Sequence, residues 1–155
     1  MFALKYIHLF AIVTWLGGMI FFSYVAAPAA FKVLDRQAAG NFVGVVFPKY
    51  FFMGYVASVV LLITLYLIGK NNLAAVRVPL IIMAVLTGLS FVHGMVIGPR
   101  ARSIKAEYSS LAEGPEKAAL KKSFGKIHGV SAVVNLLIVL LCLVYLGYIP
   151  AILRL

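Results

Sequence analysis

The sequence predicts an all-α fold, an integral membrane bundle of four spanning helices, and three observations predict it. Four apolar stretches, at about 7–31, 50–68, 78–97 and 130–151, each hold about 20 residues or more. At roughly 1.5 Å rise per residue such a helix crosses a hydrocarbon core of about 30 Å. Of the 155 residues, 64% are hydrophobic and 12% charged, and the mean hydropathy is +1.07, outside the balance of a soluble domain. Runs such as Val59-Val60-Leu61-Leu62-Ile63 do not alternate as the strands of a membrane barrel do. Helices are then the remaining way to satisfy every backbone N–H and C=O in lipid.

The first stretch follows Lys5 and reaches Ala27-Pro28-Ala29, which has the small-x-small form of a signal-peptide cleavage site. Its apolar run is longer than the roughly 7–15 residues of a signal core, and Pro28 suits cleavage badly, so it reads as a span. His8 lies one turn from Lys5, and Trp15 with Gly17-Gly18 follows, a small surface on which a neighbour or a flat ligand can lie. Between the first two spans, Asp35-Arg36 and Gly40-Asn41 are turn or cap material. Phe42, Val43, Val46 and Phe47 predict a short helix lying on the membrane surface, with Pro48 at the entry to the second span. The connection Gly69 to Arg77, with Asn71-Asn72 at its tip, is short enough to make spans two and three antiparallel neighbours. Span three carries Ser90 and, one turn on, His93. The connection 100–127 is the long polar one, punctuated by Gly114-Pro115. Beyond it Ala118, Ala119, Leu120 and Phe124 recur on one face and Lys117, Lys121 and Lys122 on another, an amphipathic lead-in to span four. In span four His128, Ser131 and Asn135 stand at i, i+3 and i+7, one polar stripe that must face the interior. All of 1–155 forms one transmembrane domain.

The net charge of +10 reads as topology and not as nucleic-acid binding. Lys32, Arg36, Lys49, Arg100, Arg102, Lys105, Lys117, Lys121, Lys122 and Lys126 lie in the first and third connections, against Lys5, Lys70, Arg77 and Arg154 on the other side. That bias puts the basic side in the cytoplasm and both termini outside a cell inner (plasma) membrane, and it attracts the anionic headgroups of the lipid bilayer. The single cysteine, Cys142, allows no internal disulfide. Gly94-x-x-x-Gly98 and Gly125-x-x-x-Gly129 permit close helix contact, and a homodimer is expected.

Function is sought at the histidines, since an ionisable group at membrane depth is costly. Asp35, Glu107, Glu113 and Glu116 all lie in connections, so neither a carboxylate proton relay nor a paired-acid enzyme has residues to use. There is no hydrolase elbow, phosphate loop or HExxH, hence no catalytic constellation. Neutral imidazole is the commonest metal ligand, and helical bundles build cofactor sites from facing side chains. An iron porphyrin asks for one or two axial nitrogens, small residues and basic groups for its propionates, and without CxxCH it would be held non-covalently. His8 lies about 20–25 Å from His128 along the helix axis at the α-helical rise, so the two cannot share one iron. Either His93 pairs with His128, with Arg100, Arg102 and Lys126 near the propionates, or each site has one histidine and takes its second ligand elsewhere, for instance from another subunit. The expected function is non-covalent haem binding for electron transfer, sensing or haem handling, with a redox partner. His8, His128, Trp15, Gly17, Gly18, Ser131, Asn135 and Arg100 form the cofactor site, and His8, His128 and His93 are the metal ligands. The alternative is a structural or transport-accessory protein whose histidines lock helices together.

Trp15-Leu-Gly-Gly, Ala27-Pro28, Phe31, Arg36, Gly40, Phe47-Pro48-x-Tyr50-Phe51, Gly98-Pro99-Arg100 and His128-Gly129-x-Ser131-x-x-x-Asn135 resemble the transmembrane-protein-205-like family of small four-span proteins. The resemblance covers nearly the whole chain. It implies four helices, places His8 and His128 at motif positions, and links eukaryotic relatives loosely with drug resistance and secretion, but it implies no established reaction. At His93 the family pattern often has Asn. His8, Trp15 and Gly17-Gly18 alone are more distantly similar to the first helix of the copper-resistance protein D and membrane protoporphyrinogen oxidase families. In the latter a helix-one histidine is associated with haem, which implies His8 as a first candidate ligand.

Overall fold

The computed structural model describes residues 1–154 and is helical almost throughout. Four long helices, α1 (Phe2–Val33), α2 (Arg36–Gly69), α3 (Leu73–Ser110) and α4 (Pro115–Leu146), are each long and apolar enough to cross a membrane. A short α5 (Ile149–Arg154) follows a turn at Gly147-Tyr148. The protein is an all-α multi-pass membrane protein. α1 packs on α2, α2 on α3, and α3 on α4.

The core lies in the half of the bundle nearest the termini and the α2–α3 turn. Ile12, Leu61, Leu65, Val76, Met83, Leu86 and Tyr145 are fully buried there. Side chains such as Val13, Phe52, Ile81 and Leu140 point outward, as lipid-facing residues do. Tails of lipid are as apolar as leucine, so the helices are held by close packing and cross-helix hydrogen bonds more than by exclusion of oil from water.

The connections are tighter than the sequence suggests. The surface helix expected over Phe42–Phe47 does not form as a separate element. The Asp35 carboxylate caps the N–H groups of Gln37 and Ala38 at 2.9 Å each, so α2 starts at Arg36 and continues through Pro48. Proline there deletes one backbone bond, whereas breaking the helix would orphan a whole set of N–H and C=O groups beside the membrane. The connection 100–127 likewise becomes extensions of α3 and α4 joined by Leu111–Gly114, with Pro115 in the first turn of α4. The fourth helix stops at Leu146, short of the expected Ala151.

Two segments depart from regular α geometry, Phe22–Ala26 in α1 and His93–Ile97 in α3. In each the turn widens to π spacing, with the N–H of Ala27 reaching the Phe22 carbonyl and that of Gly98 the His93 carbonyl. Each immediately precedes an X-Pro pair, Ala27-Pro28 and Gly98-Pro99. A proline ring collides with the carbonyl four residues back, and a wider turn makes room for it. Such bulges re-aim the side chains they carry and occur often at functional sites. Here they carry Phe22, Ser23 and His93.

Candidate functional site

All four helices contribute to one cavity of about 430 Å³ in the basic half of the molecule, the half with the α1–α2 and α3–α4 connections. That size falls in the range of small-molecule clefts. Its closed end is aromatic: Phe47 lies 5.4 Å from Phe22 and 5.5 Å from Phe51, and Phe51 meets the His93 ring edge-on at 4.9 Å. Gly94 and Gly98 allow this packing, because a Cβ at either would strike Phe51 or, at Gly94, also Tyr55. The polar lining groups are Ser23, His93, Arg102, Lys105, His128, Ser131 and Asn135.

The cations of this lining are distributed unequally. Lys105 Nζ donates to the Gly40 carbonyl at 2.8 Å, and a side chain at residue 40 would collide with that amine. Lys105 is thus anchored and keeps two further donors. Arg102 is exposed, and among the described residues no carboxylate pairs with it. The ion pairs present, Lys117 to Glu113 at 2.9 Å and Lys121 to Glu113 at 3.5 Å, lie in the α3–α4 hairpin.

The three imidazoles differ in what engages them. His8 is fully buried among α1, α2 and α4. Its Nδ1 lies 2.7 Å from Thr64 Oγ1 and its Nε2 lies 2.8 Å from the Tyr145 hydroxyl. Thr64 donates its one hydroxyl proton to the Val60 carbonyl at 2.7 Å. Both ring nitrogens are therefore engaged, one as donor and one as acceptor in the neutral imidazole. His93 is 3% exposed, and its Nε2 is paired with Ser131 Oγ at 2.7 Å. His128 is exposed along the cavity wall and stacks on Phe124 at 5.7 Å. Among the described residues no hydrogen bond engages its ring. Asn135, two turns on, ties three helices together. Its amide donates to Ser23 at 3.0 Å, and its carbonyl accepts from the Tyr50 hydroxyl.

The sequence-derived site divides in two. His93, His128, Ser131 and Asn135 come together at the cavity. His8, Trp15, Gly17 and Gly18 do not: Trp15 is buried in the core, Gly18 faces Met53, and Gly17 faces open space. Arg100 is exposed and does not line the cavity, whereas Arg102 does. Ser131 partners His93 and not His128. The aromatic end and Lys105 escaped the sequence reading. The signal for the basic wall was the 3–4 spacing of Gly98, Ala101, Arg102 and Lys105, which continues span three as helix beyond the membrane. Among the described residues no group of three His, Cys, Asp or Glu side chains is placed to hold a bare metal ion.

Residues 10–110 match the family model described as "Domain of unknown function (DUF4149)". The chain belongs to the DUF4149 family. The matched stretch supplies the α1, α2 and α3 walls of the cavity, while His128, Ser131 and Asn135 lie beyond it. This DUF4149 protein is also similar to an Aquifex aeolicus (strain VF5) protein described as "Uncharacterized protein", 34% identical over 129 residues that cover 83% of each chain. No solved structure matches it.

Proposed function

We propose that this DUF4149 protein binds an apolar-bodied ligand with an anionic end in the cavity of its basic half, and that the ligand is a haem-like iron porphyrin held by His128. One observation carries the reading: of the three imidazoles, His128 lines the cavity with a ring that no hydrogen bond engages among the described residues. The aromatic end accepts a flat apolar body. Arg102, unpaired, and Lys105, with donors to spare, suit carboxylates at the polar end. His93, pinned by Ser131, packs beside the ligand or supplies a second nitrogen if that bond yields. A bound porphyrin would supply one-electron chemistry tuned by its axial ligand and the polarity around it, which fits electron transfer, sensing or haem handling. The positive-inside bias orients the cavity toward the cytoplasm.

The test is titration of haemin into the purified protein while the Soret band is recorded. The parent and His8→Ala should give the same saturable shift, and His128→Ala should lose most of it. A parent that produces no shift contradicts the reading. A structural role is the second reading, favoured by the cross-helix bonds of His8, His93 and Asn135. It predicts no shift in any variant and destabilisation in His8→Ala.

A further inference from the structure

The walls of the cavity are unequally closed, and the difference points to how it fills. On the α2–α3 side the seam is packed: Gly94 and Gly98 sit against Phe51, and Lys105 is bonded to the Gly40 carbonyl. The α1–α4 side differs. Below its π segment, the part of α1 from Ala27 to Val33 packs on α2 and scarcely touches α4. The two helices are tied by the Ser23–Asn135 bond at the upper edge of the cavity. Beneath that bond the facing cavity residues are small or outward-lying: Ala27, Pro28 and Phe31 on α1, His128 and Ala132 on α4. Pro28, Phe31, His128 and Ala132 are all exposed. In a membrane, exposure at this level of a spanning helix means contact with lipid, and the opening there is bordered by Ala27, Pro28, Phe31 and Ala132, with the His128 imidazole as its polar group.

We infer that the cavity loads sideways, from the leaflet at the basic end, through the seam between α1 and α4. Its ligand is therefore a lipid-dissolved amphiphile, which slides in body first and leaves its anionic end against Arg102 and Lys105 at the headgroup level. The inference rests on the reading of this cavity as a binding site. It adds a route, a source and a gate, the Ser23–Asn135 bond being the hinge point above which the helices stay closed.

The experiment uses the full chain in phosphatidylcholine proteoliposomes, with haemin partitioned into the same vesicles as probe and Soret development followed by stopped flow. In a Cys142→Ala background, Ala27→Cys and Ala132→Cys are joined by a bis-maleimide, so that neither thiol remains to bind iron. The linked protein should load about ten-fold or more slowly than its singly alkylated counterparts and reach the same final amplitude, as a blocked gate does without a change in the site. Ala132→Trp, which narrows the seam without a linker, should also slow entry, and because Ala132 lines the cavity its rate is compared with the parent's at matched final occupancy. Loading of both variants at the parent rate would overturn the lateral route and place entry at the aqueous end, with the binding reading intact. A parent that never develops a Soret band removes the binding reading, and the gate with it.

Discussion

Single side chains in this bundle are either fully committed to one another or free, and the histidines show both conditions. The chain from Tyr145 through His8 and Thr64 to the Val60 carbonyl uses every polar atom it contains. Tyr145→Phe or Thr64→Val strands one buried imidazole nitrogen, so each should cost about 1–3 kcal/mol in reversible unfolding without altering any haemin titration. An affinity change in either variant would mean that His8 belongs to the ligand site. Asn135→Leu removes two cross-helix bonds and should cost about 1 kcal/mol, given roughly 0.6 kcal/mol per bond between membrane helices. The histidines were legible as the residues worth attention, because polar groups are rare and expensive in lipid. Their roles were not. Which nitrogen finds a partner depends on Thr64 and Tyr145, residues far apart in the chain that look like ordinary membrane-helix residues.

At the level of the helix, glycine spacing had to be read with the partner in view. Gly94 and Gly98 face Phe51 and are used within the chain, whereas Gly125 and Gly129 face open space. Gly94→Ala should therefore overpack the α2–α3 contact and cost about 1–3 kcal/mol. Gly125→Ala should be neutral or stabilising by up to about 1 kcal/mol through helix propensity. Thermal unfolding in detergent measures both, and equal effects would contradict the packing described. The number and order of the long apolar helices were legible from hydropathy, but not the helix limits, since α2 begins at Arg36, α3 runs on to Ser110 and α4 begins at Pro115, well outside the apolar runs. The widened turns were not predicted, although Pro28 and Pro99 stand where they end. At the hairpin tip, hydrogen bonding and charge from Lys117, then charge from Lys121, hold Glu113 below the usual carboxylate range. A lowered carboxylate stabilises the fold above its ordinary titration range and loses that contribution as pH falls through its folded value. Acid should therefore fray the start of α4 before the spans respond, visible as faster amide exchange near Lys117.

Across the whole molecule, tight packing at the end with the termini gives way to an open cavity at the basic end. The basic end of the bundle contributes two cations, Arg102 and Lys105, to the cavity lining. Topology is tested by thiol labelling from outside intact cells in a Cys142→Ala background: Asn71→Cys should react and Ser110→Cys should not. The reverse pattern would turn the cavity to the outer face. Fold class was legible because four long apolar runs with few charges admit little else. The site was half legible, since the α4 stripe is a pattern within one helix while the aromatic end and the basic wall are assembled from several. The proposed role of His128 is to present a free imidazole to a ligand in this cavity. It is tested most directly by titrating haemin into His128→Ala with and without added imidazole. The variant should lose the parent's Soret shift, and imidazole, entering the space left by the side chain, should restore it. A variant that binds haemin as the parent does, with no response to imidazole, would contradict that role.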